Sequence, residues 1–503
     1  MLYRKNIEEL KKIYPDFAER IRPPASNQIK VAKSRKGLPT LFFCPTQEKR
    51  VAIHSPYDPK IEAERFVASC HLKEGDSVVL FGLGLNYHLG QILKRIGKKG
   101  RVLAVELNLD LLSYSLSLID WQPLFKTPNL SFILSDDLSR VAEGLSSFLS
   151  RPRDREPRLI IHKPSLLALP PHLEPVFRSL VNIFTVRASG KKFAPLIREN
   201  ISLNIEQIIK SPGIKRVFNK FLDKPVFIVS AGPSLDKELS NLCQVKETAG
   251  IFATGRALKT LIMSGIKPDL VIITDPQREV LDQIEGVCAP DVPLVFLPST
   301  YPEAVRSYPG PKIVALVKDE FKAGELVEDK GEIETGGSVA CAALDIAIKS
   351  GANPIIFVGQ DLSYPAGSFY AASVVENLKT LEGLSKWTTL EMFHRQRMGE
   401  GKLVRIEGVG GKRVLTHQNM LVYLSWMMRK IAGENRRIFI NASSGAKIAG
   451  TVEMDLNEIS SKFLGSKVEL RLNLTPTTDP EKIRNYRKAL ERWLEDTPLA
   501  PTR

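Results

Sequence analysis

Five short runs hold the residue types best suited to chemistry. They are Ser230-Ala231-Gly232-Pro233-Ser234-Leu235, Thr254-Gly255-Arg256, Thr274-Asp275-Pro276-Gln277, Glu334-Thr335-Gly336-Gly337-Ser338 and Gly359-Gln360-Asp361-Leu362-Ser363-Tyr364. The first closes an apolar run and opens helical sequence, a unit that places backbone N–H groups under a phosphate. There Gly232 lets a ligand approach the backbone, Pro233 suits a first helical turn and Ser234 offers a hydroxyl. In the second, a flexible turn sets Arg256 where a cation meets an anionic group. Asp275, before a proline, is held extended and points off a sheet edge. Thr335 and Ser338 are good helix caps, and the Gly336-Gly337 pair bares amides at a positive helix end, a place for phosphate or carboxylate. Each run alone also reads as an ordinary cap or turn. Together on one parallel sheet edge they predict a nucleotide site, because open α/β sheets bind ligands beyond the carboxyl ends of their strands.

The elements that must position these runs alternate along the chain. From Ser77 the pattern is strand, turn, helix: Ser77–Phe81, Gly82-Leu83-Gly84, helix to Ile96, strand Arg101–Val105 ending in Glu106, helix 109–119, strand Leu130–Leu134 ending in Ser135-Asp136-Asp137, and strand Arg158–Ile161. The grammar repeats with strands at 225–229, 250–253, 269–274, 292–297, 312–317 and 353–358 and helices at 235–242, 257–264 and 339–350. A bridge of helical sequence, 194–221, breaks at Ser211-Pro212-Gly213. Later come helical sequence over 371–397, a glycine-rich hairpin at 407–414, a helix at 421–431, a strand at 438–441 and an amphipathic helix at 481–494. The expected class is α/β, with two Rossmann-like doubly wound units and a mainly helical C-terminal region. The expected divisions are a cap over 1–75, a Rossmann-like domain over 76–190, a central domain over 191–465 with a helical insertion near 371–430, and a helical tail over 466–503.

Gly82-x-Gly84 followed by Glu106 resembles the nucleoside site of Rossmann-type proteins, where the acid bonds a ribose. The third glycine of that pattern is missing, so a plain structural turn is the favoured reading.

Composition narrows the classes. The chain has 503 residues, 43% of them hydrophobic, enough for two or three globular domains. No apolar run approaches the ~20 residues of a membrane span, and a cytoplasmic protein is expected. Five scattered cysteines and seven histidines show no metal-binding spacing, and the thiols read as buried and reduced. The formal charge of +15 suits an anionic ligand. Acidic and basic residues interleave throughout, which disfavours a nucleic-acid partner.

The order of runs from Ser230–Leu235 through Gly265-Ile266-Lys267-Pro268-Asp269, Asp275-Pro276-Gln277, Thr335–Ala340, Gly359–Leu362 and Tyr364 resembles the motility-associated factor (Maf) glycosyltransferases. These share a domain with 6-hydroxymethylpterin diphosphokinases of the MptE type. Weaker likenesses follow at 408–414, Thr416, the Tyr423/Trp426 helix and Asn441-Ala442. The resemblance implies a sialyltransferase-like central domain and transfer of a pseudaminic- or legionaminic-type acid from a CMP-activated donor to Ser or Thr of flagellin. It implies that Gly232, Pro233, Ser234, Thr254, Gly255, Gln277, Thr335, Gly336, Gly337, Ser338 and Gln360 hold the nucleotide. Asp275 then orients the donor, Asp361 activates the acceptor and Tyr364 donates to the departing phosphate. No cofactor or metal is expected for a donor with so good a leaving group.

Family members often carry a histidine shortly after the Asp-Leu motif. Here that stretch reads Ala366-Gly367-Ser368-Phe369-Tyr370. The base is then Asp361, or a distant residue such as His417, which as an isolated residue reads more readily as a surface histidine. Two other functions fit the sequence. One is a Mg²⁺-dependent pyrophosphokinase using Asp275 and Asp361, and the other is a non-catalytic CMP-binding or scaffold homologue.

Overall fold

The computed structural model describes residues 2–46, 48–135, 138–150, 157–322, 324–368, 370–374, 392, 398–399, 403–465, 467–468 and 472–496. The chain folds as two compact units, Met1–Phe184 and Thr185–Arg503.

The first unit opens with a small antiparallel sheet of β1 (Ile29–Lys33), β2 (Pro39–Phe43) and β3 (Val51–Ala52). Its main sheet is parallel, with β4 (Ser77–Phe81), β5 (Arg101–Glu106), β6 (Leu130–Leu134) and β7 (Arg158–Ile161) in the order β6-β5-β4-β7. Successive residues of a strand face opposite sides, and both sides are buried. Val78, Leu80, Val102 and Ala104 pack with Leu89, Ile92 and Leu112, while Val79, Phe81, Leu103 and Val105 pack with Val141, Leu145 and Leu173. Such double burial explains the unbroken apolar runs. The chain moves outward from β4 to β6 and then returns to β7 on the other side of β4. The topological switch therefore falls between β4 and β7, at the Gly82 turn.

The second unit repeats this plan on a larger scale. Its strands are β8 (Val226–Val229), β9 (Gly250–Thr254), β10 (Leu270–Ile273), β11 (Leu294–Phe296), β12 (Lys312–Val314), a separate pair β13 (Leu316–Val317) and β14 (Glu332–Ile333), β15 (Ile355–Val358), the antiparallel pair β16 (Leu403–Glu407) and β17 (Arg413–His417), β18 (Phe439–Asn441) and β19 (Val452–Glu453). The eight-stranded sheet runs β12-β11-β10-β9-β8-β15-β18-β19, parallel throughout. Ile228, Phe252, Ile272, Ile355 and Phe357 pack under the helices Val339–Lys349 and Gln418–Ala432. Phe227, Val229, Ile251 and Ala253 pack under Leu235–Val245 and Gly255–Met263. The switch point lies between β8 and β15, where the Gly232 and Gly359 turns leave the sheet.

Several expected elements differ in extent. The single strand expected over 312–317 is split at Ala315: β12 lies at the sheet edge, and β13 leaves it to pair with β14. The bridging helix begins at Glu174, not Ala194, and carries Pro195 inside it. A proline removes only one helical hydrogen bond, which a long helix absorbs. Strand β1, which has little apolar alternation, gave no sequence signal. Much of the helical sequence expected over 371–397, the Asp136-Asp137 pair and Phe369 lie outside the described residues. Of the expected 371–430 insertion, the described part holds the β16–β17 hairpin and the start of helix Gln418–Ala432. The C-terminal part holds helices Leu456–Phe463 and Pro480–Asp496.

The last helix is docked through a buried lysine. Lys330 is fully buried, rare for lysine unless paired. Its ammonium donates to the Ile209 and Ser211 carbonyls and to Thr477 Oγ1 at 3.1, 2.8 and 3.1 Å, and lies 4.9 Å from the Tyr486 ring centroid. Burial pushes its pKa down to about 8. Lys330→Met leaves those acceptors without their donor. We expect it to destabilise the second unit by about 2–4 kcal/mol, read as a lower midpoint in urea unfolding.

Candidate active site

The glycine turn of the first unit is satisfied from within. Glu106 is 2% exposed, and its carboxylate accepts the Leu83 and Asn108 N–H groups at 2.8 and 3.0 Å. Burial raises its pKa to about 7, against the pull of these amides. His54 Nε2 accepts the Leu85 N–H at 2.8 Å, and a Cβ on Gly84 would overlap that ring. Gly82 and Gly84 both sit at positive φ. Amides that a nucleotide would need are thus already engaged, and Glu106 turns inward. The arrangement is that of a structural turn.

In the second unit the loops at the switch point are tied to one another. The Gly232 N–H donates to the Gly359 carbonyl at 2.8 Å, and Ser230 Oγ bonds Gln360 Oε1 at 2.5 Å. Asp361 is 2% exposed. Its Oδ2 accepts the Ser234 N–H at 2.8 Å and its Oδ1 the Ser444 N–H at 3.1 Å. The Gln360 N–H donates to Ser443 Oγ at 2.9 Å. One carboxylate therefore joins the loops that follow β8, β15 and β18. Gly232 is required there because a Cβ would overlap Asp361 Oδ2 and the Gly359 carbonyl. Burial raises the Asp361 carboxyl above its ordinary value, and the Ser234 and Ser444 contacts oppose the rise. With both oxygens engaged, Asp361 is placed as a brace.

Helix Gln418–Ala432 gathers the second group. Tyr423, Trp426 and Lys430 share one face, three and four residues apart. A Cβ built on Gly336 would overlap Trp426, and one on Gly337 would lie 3.5 Å from Tyr423. Burial raises the Tyr423 hydroxyl pKa, and the charges of Cys341 and Asp275 add to the rise. Lys430 reaches Asp345 Oδ1 at 2.7 Å and Glu334 Oε2 at 3.3 Å. The fully buried Asp345 also pairs with Lys349 at 2.8 Å and accepts the Glu334 N–H at 2.9 Å. This pins the entry to the Thr335–Ser338 turn. Gly336 and Gly337 are both left-handed, and Gly337 is exposed. Ser338 caps helix Val339–Lys349 through the Ala340 N–H at 3.2 Å.

The remaining expected residues separate by exposure. Pro233, Asp275 and Thr335 are partly accessible and Gln277 is exposed, while Thr254, Gly255 and Gln360 are buried. Gly255 is a packing glycine, with Gln283 Oε1 where a Cβ would sit. Asp275 Oδ1 accepts the Gln277 N–H at 2.9 Å; burial raises its pKa, the Gln277 amide and the Arg256 charge lower it, and Glu279 raises it.

His417 is half-buried at the end of β17, directly before the gathering helix, and is not a lone surface residue. Its Nδ1 lies 2.7 Å from the Tyr364 hydroxyl and its Nε2 2.9 Å from the Met398 carbonyl. A carbonyl only accepts, so Nε2 bears the proton and Nδ1 accepts from Tyr364. Tyr364 is 4% exposed, and burial raises its pKa. The 53-residue separation of this pair hid it from motif reading. Ser444 and Lys430 gave no signal beyond helical spacing.

Residues 52–154 match the family model described as the glycosyltransferase Maf N-terminal domain. Residues 199–367 match the model described as 6-hydroxymethylpterin diphosphokinase MptE-like. An uncharacterised protein of Treponema pallidum (strain Nichols) is 30% identical over 202 residues, covering 38% of this chain and 34% of that protein. The match thus spans about a third of that relative's length. Among solved structures, a Maf glycosyltransferase from Magnetospirillum magneticum AMB-1 aligns with 99% of this chain and 80% of its own, at 18% identity and a TM-score of 0.46. A protein-L-isoaspartate O-methyltransferase aligns with 27% of this chain and 43% of its own, at 17% identity and a TM-score of 0.15.

If Asp361 is a brace, Asp361→Asn turns an amide NH₂ toward the Ser234 or the Ser444 N–H. We expect a loss of about 1–3 kcal/mol, measured by urea unfolding of the second unit. Unchanged stability would contradict the brace.

Proposed function

We propose that this chain, which joins a Maf N-terminal domain to an MptE-like domain and so belongs to the Maf glycosyltransferase family, transfers a nonulosonic acid from a CMP-activated donor to Ser or Thr of flagellin. The observation that carries the reading is the Gly336-Gly337 turn set against Trp426 and Tyr423 at the start of helix Val339–Lys349, with the charge of Asp275 felt at the Tyr423 hydroxyl. A helix N-terminus with two bare glycines offers amides to a phosphate and a sugar carboxylate. Tyr423 offers a ring for the base, and Asp275 a carboxylate for the ribose or sugar. In this reading Gly232, Pro233, Ser234, Gln277 and Thr335 complete the nucleotide site, and the buried Thr254, Gly255, Gln360 and Asp361 support it.

The acceptor hydroxyl attacks the anomeric carbon as the bond to the CMP phosphate breaks. Its proton passes to Tyr364 Oη while the Tyr364 proton passes to His417 Nδ1. His417 becomes imidazolium, with its Nε2–H held by the Met398 carbonyl. CMP leaves as the anion, so the step calls for no metal. This route assigns the base to the Tyr364–His417 pair and gives Asp361 a positioning role. The donor, the acceptor and metal independence are all parts of the proposal.

A pyrophosphokinase reading is supported by the description of the MptE-like match. It needs a cation shared by Asp275 and Asp361, and the engaged oxygens of Asp361 count against it. AMP release from ATP and a pterin in the presence of Mg²⁺, with no binding of CMP, would favour it.

Tyr364→Phe and His417→Gln should each lower kcat for transfer about a hundredfold or more. CMP affinity by calorimetry should stay within about twofold, since uniform binding is untouched. Full activity in both variants overturns the relay. No heat at millimolar CMP overturns the donor assignment. An unchanged flagellin mass in a strain lacking the gene removes flagellin as the acceptor.

A further inference from the structure

Three imidazoles meet in the first unit, and glycosyl transfer uses none of them. His54 follows β3, His88 lies in the first turn of helix Tyr87–Ile96 and His162 follows β7. They are 0%, 2% and 2% exposed. The ring centroids of His54 and His88 are 5.5 Å apart, those of His54 and His162 5.0 Å, and those of His88 and His162 4.3 Å. One nitrogen from each lies within 4.8 Å of the others.

Their hydrogen bonding is incomplete. His162 Nδ1 bonds Ser165 Oγ at 2.7 Å, and its Nε2 has no partner among the described residues. His88 Nδ1 and His54 Nδ1 are likewise without hydrogen-bond partners there. Buried polar nitrogens are normally satisfied, and unpaired ones call for a reason. Burial lowers the proton affinity of all three rings, taking His88 to about 4. Burial thus disfavours the charged ring, and neutral imidazole is the form that ligates metals.

We propose that His54, His88 and His162 bind one divalent transition ion of the zinc class. His162 ligates through Nε2, with its Nδ1–H held by Ser165, and His88 ligates through Nδ1. His54 ligates through Nε2 in place of the Leu85 amide. Its Nδ1–H then turns to the Glu62 carboxylate, now 3.8 Å away, which completes a carboxylate–histidine–metal arrangement. Water takes the fourth position. Zn–N bonds of about 2.0–2.1 Å require the rings to close inward from their present spacing. The ion must also displace a hydrogen bond at His54, so micromolar affinity is expected. Ligands from three separate segments make the ion a clip across the unit.

The full chain, stripped with a chelator, is titrated with Co²⁺ and then with Zn²⁺. We expect one equivalent of cobalt with the visible bands of tetrahedral nitrogen ligation, displaced by zinc. At about a hundredfold excess over Kd, the unfolding temperature should rise by on the order of 5 °C. His88→Ala should abolish both signals. Ser165→Ala, a milder change, should weaken binding about tenfold and serves if His88→Ala does not fold. Absence of bands and of any thermal shift in the unsubstituted chain overturns the site. So does an unchanged response in His88→Ala, or in Ser165→Ala.

Discussion

The Asp361 carboxylate, held between the Ser234 and Ser444 amides, is the contact on which the second unit's site depends. It draws together the loops after β8, β15 and β18, which have no strand pairing to one another beyond the sheet. A buried carboxylate that accepts backbone N–H groups is costly to remove, because its partners are then left unpaired. The tight backbone around it follows. Gly232 has no room for a side chain, and Gly359 is left-handed with the Ser230 carbonyl where a Cβ would go. The Ser230–Leu235 turn keeps its shape because of a residue far along the chain.

A second buried carboxylate plays the matching part under the other face. Asp345 is neutralised by Lys349 and Lys430 and takes the Glu334 amide. It thereby fixes both the Thr335–Ser338 turn and the helix that carries Tyr423 and Trp426. That helix starts one residue after His417, so the phosphate-type turn, the aromatic wall and the Tyr364–His417 pair are set by one rigid element. Sites built on rigid helices hold geometry more closely than sites on loops. Asp361, which sequence motifs enlist for chemistry, and Asp345, which they overlook, thus both hold the surrounding turns in place.

The doubly wound pattern was legible because strands buried on both faces leave continuous apolar runs, as in Ser77–Phe81 and Ile355–Val358. Glycine-bearing turns at both switch points were legible for the same reason. What the turns do was not. Gly82 and Gly232 look alike in sequence, yet Glu106 and His54 fill one turn from within while the other leads to partly accessible groups. The pairing of Tyr364 with His417 and the meeting of His54, His88 and His162 depend on tertiary closure, and no local spacing encodes them. Strand β1 was obscure because most of its residues are exposed, and the β12–β13 split because Ile313-Val314-Ala315-Leu316 is one buried apolar run that reads as a single strand.

The most direct test of the site is hydrogen–deuterium exchange with and without saturating CMP. Slower exchange is expected at the Gly336 and Gly337 amides, with unchanged exchange at Gly82 to Leu85. Protection at the Gly82 turn, or none at Gly336 and Gly337, would contradict the proposed nucleotide site.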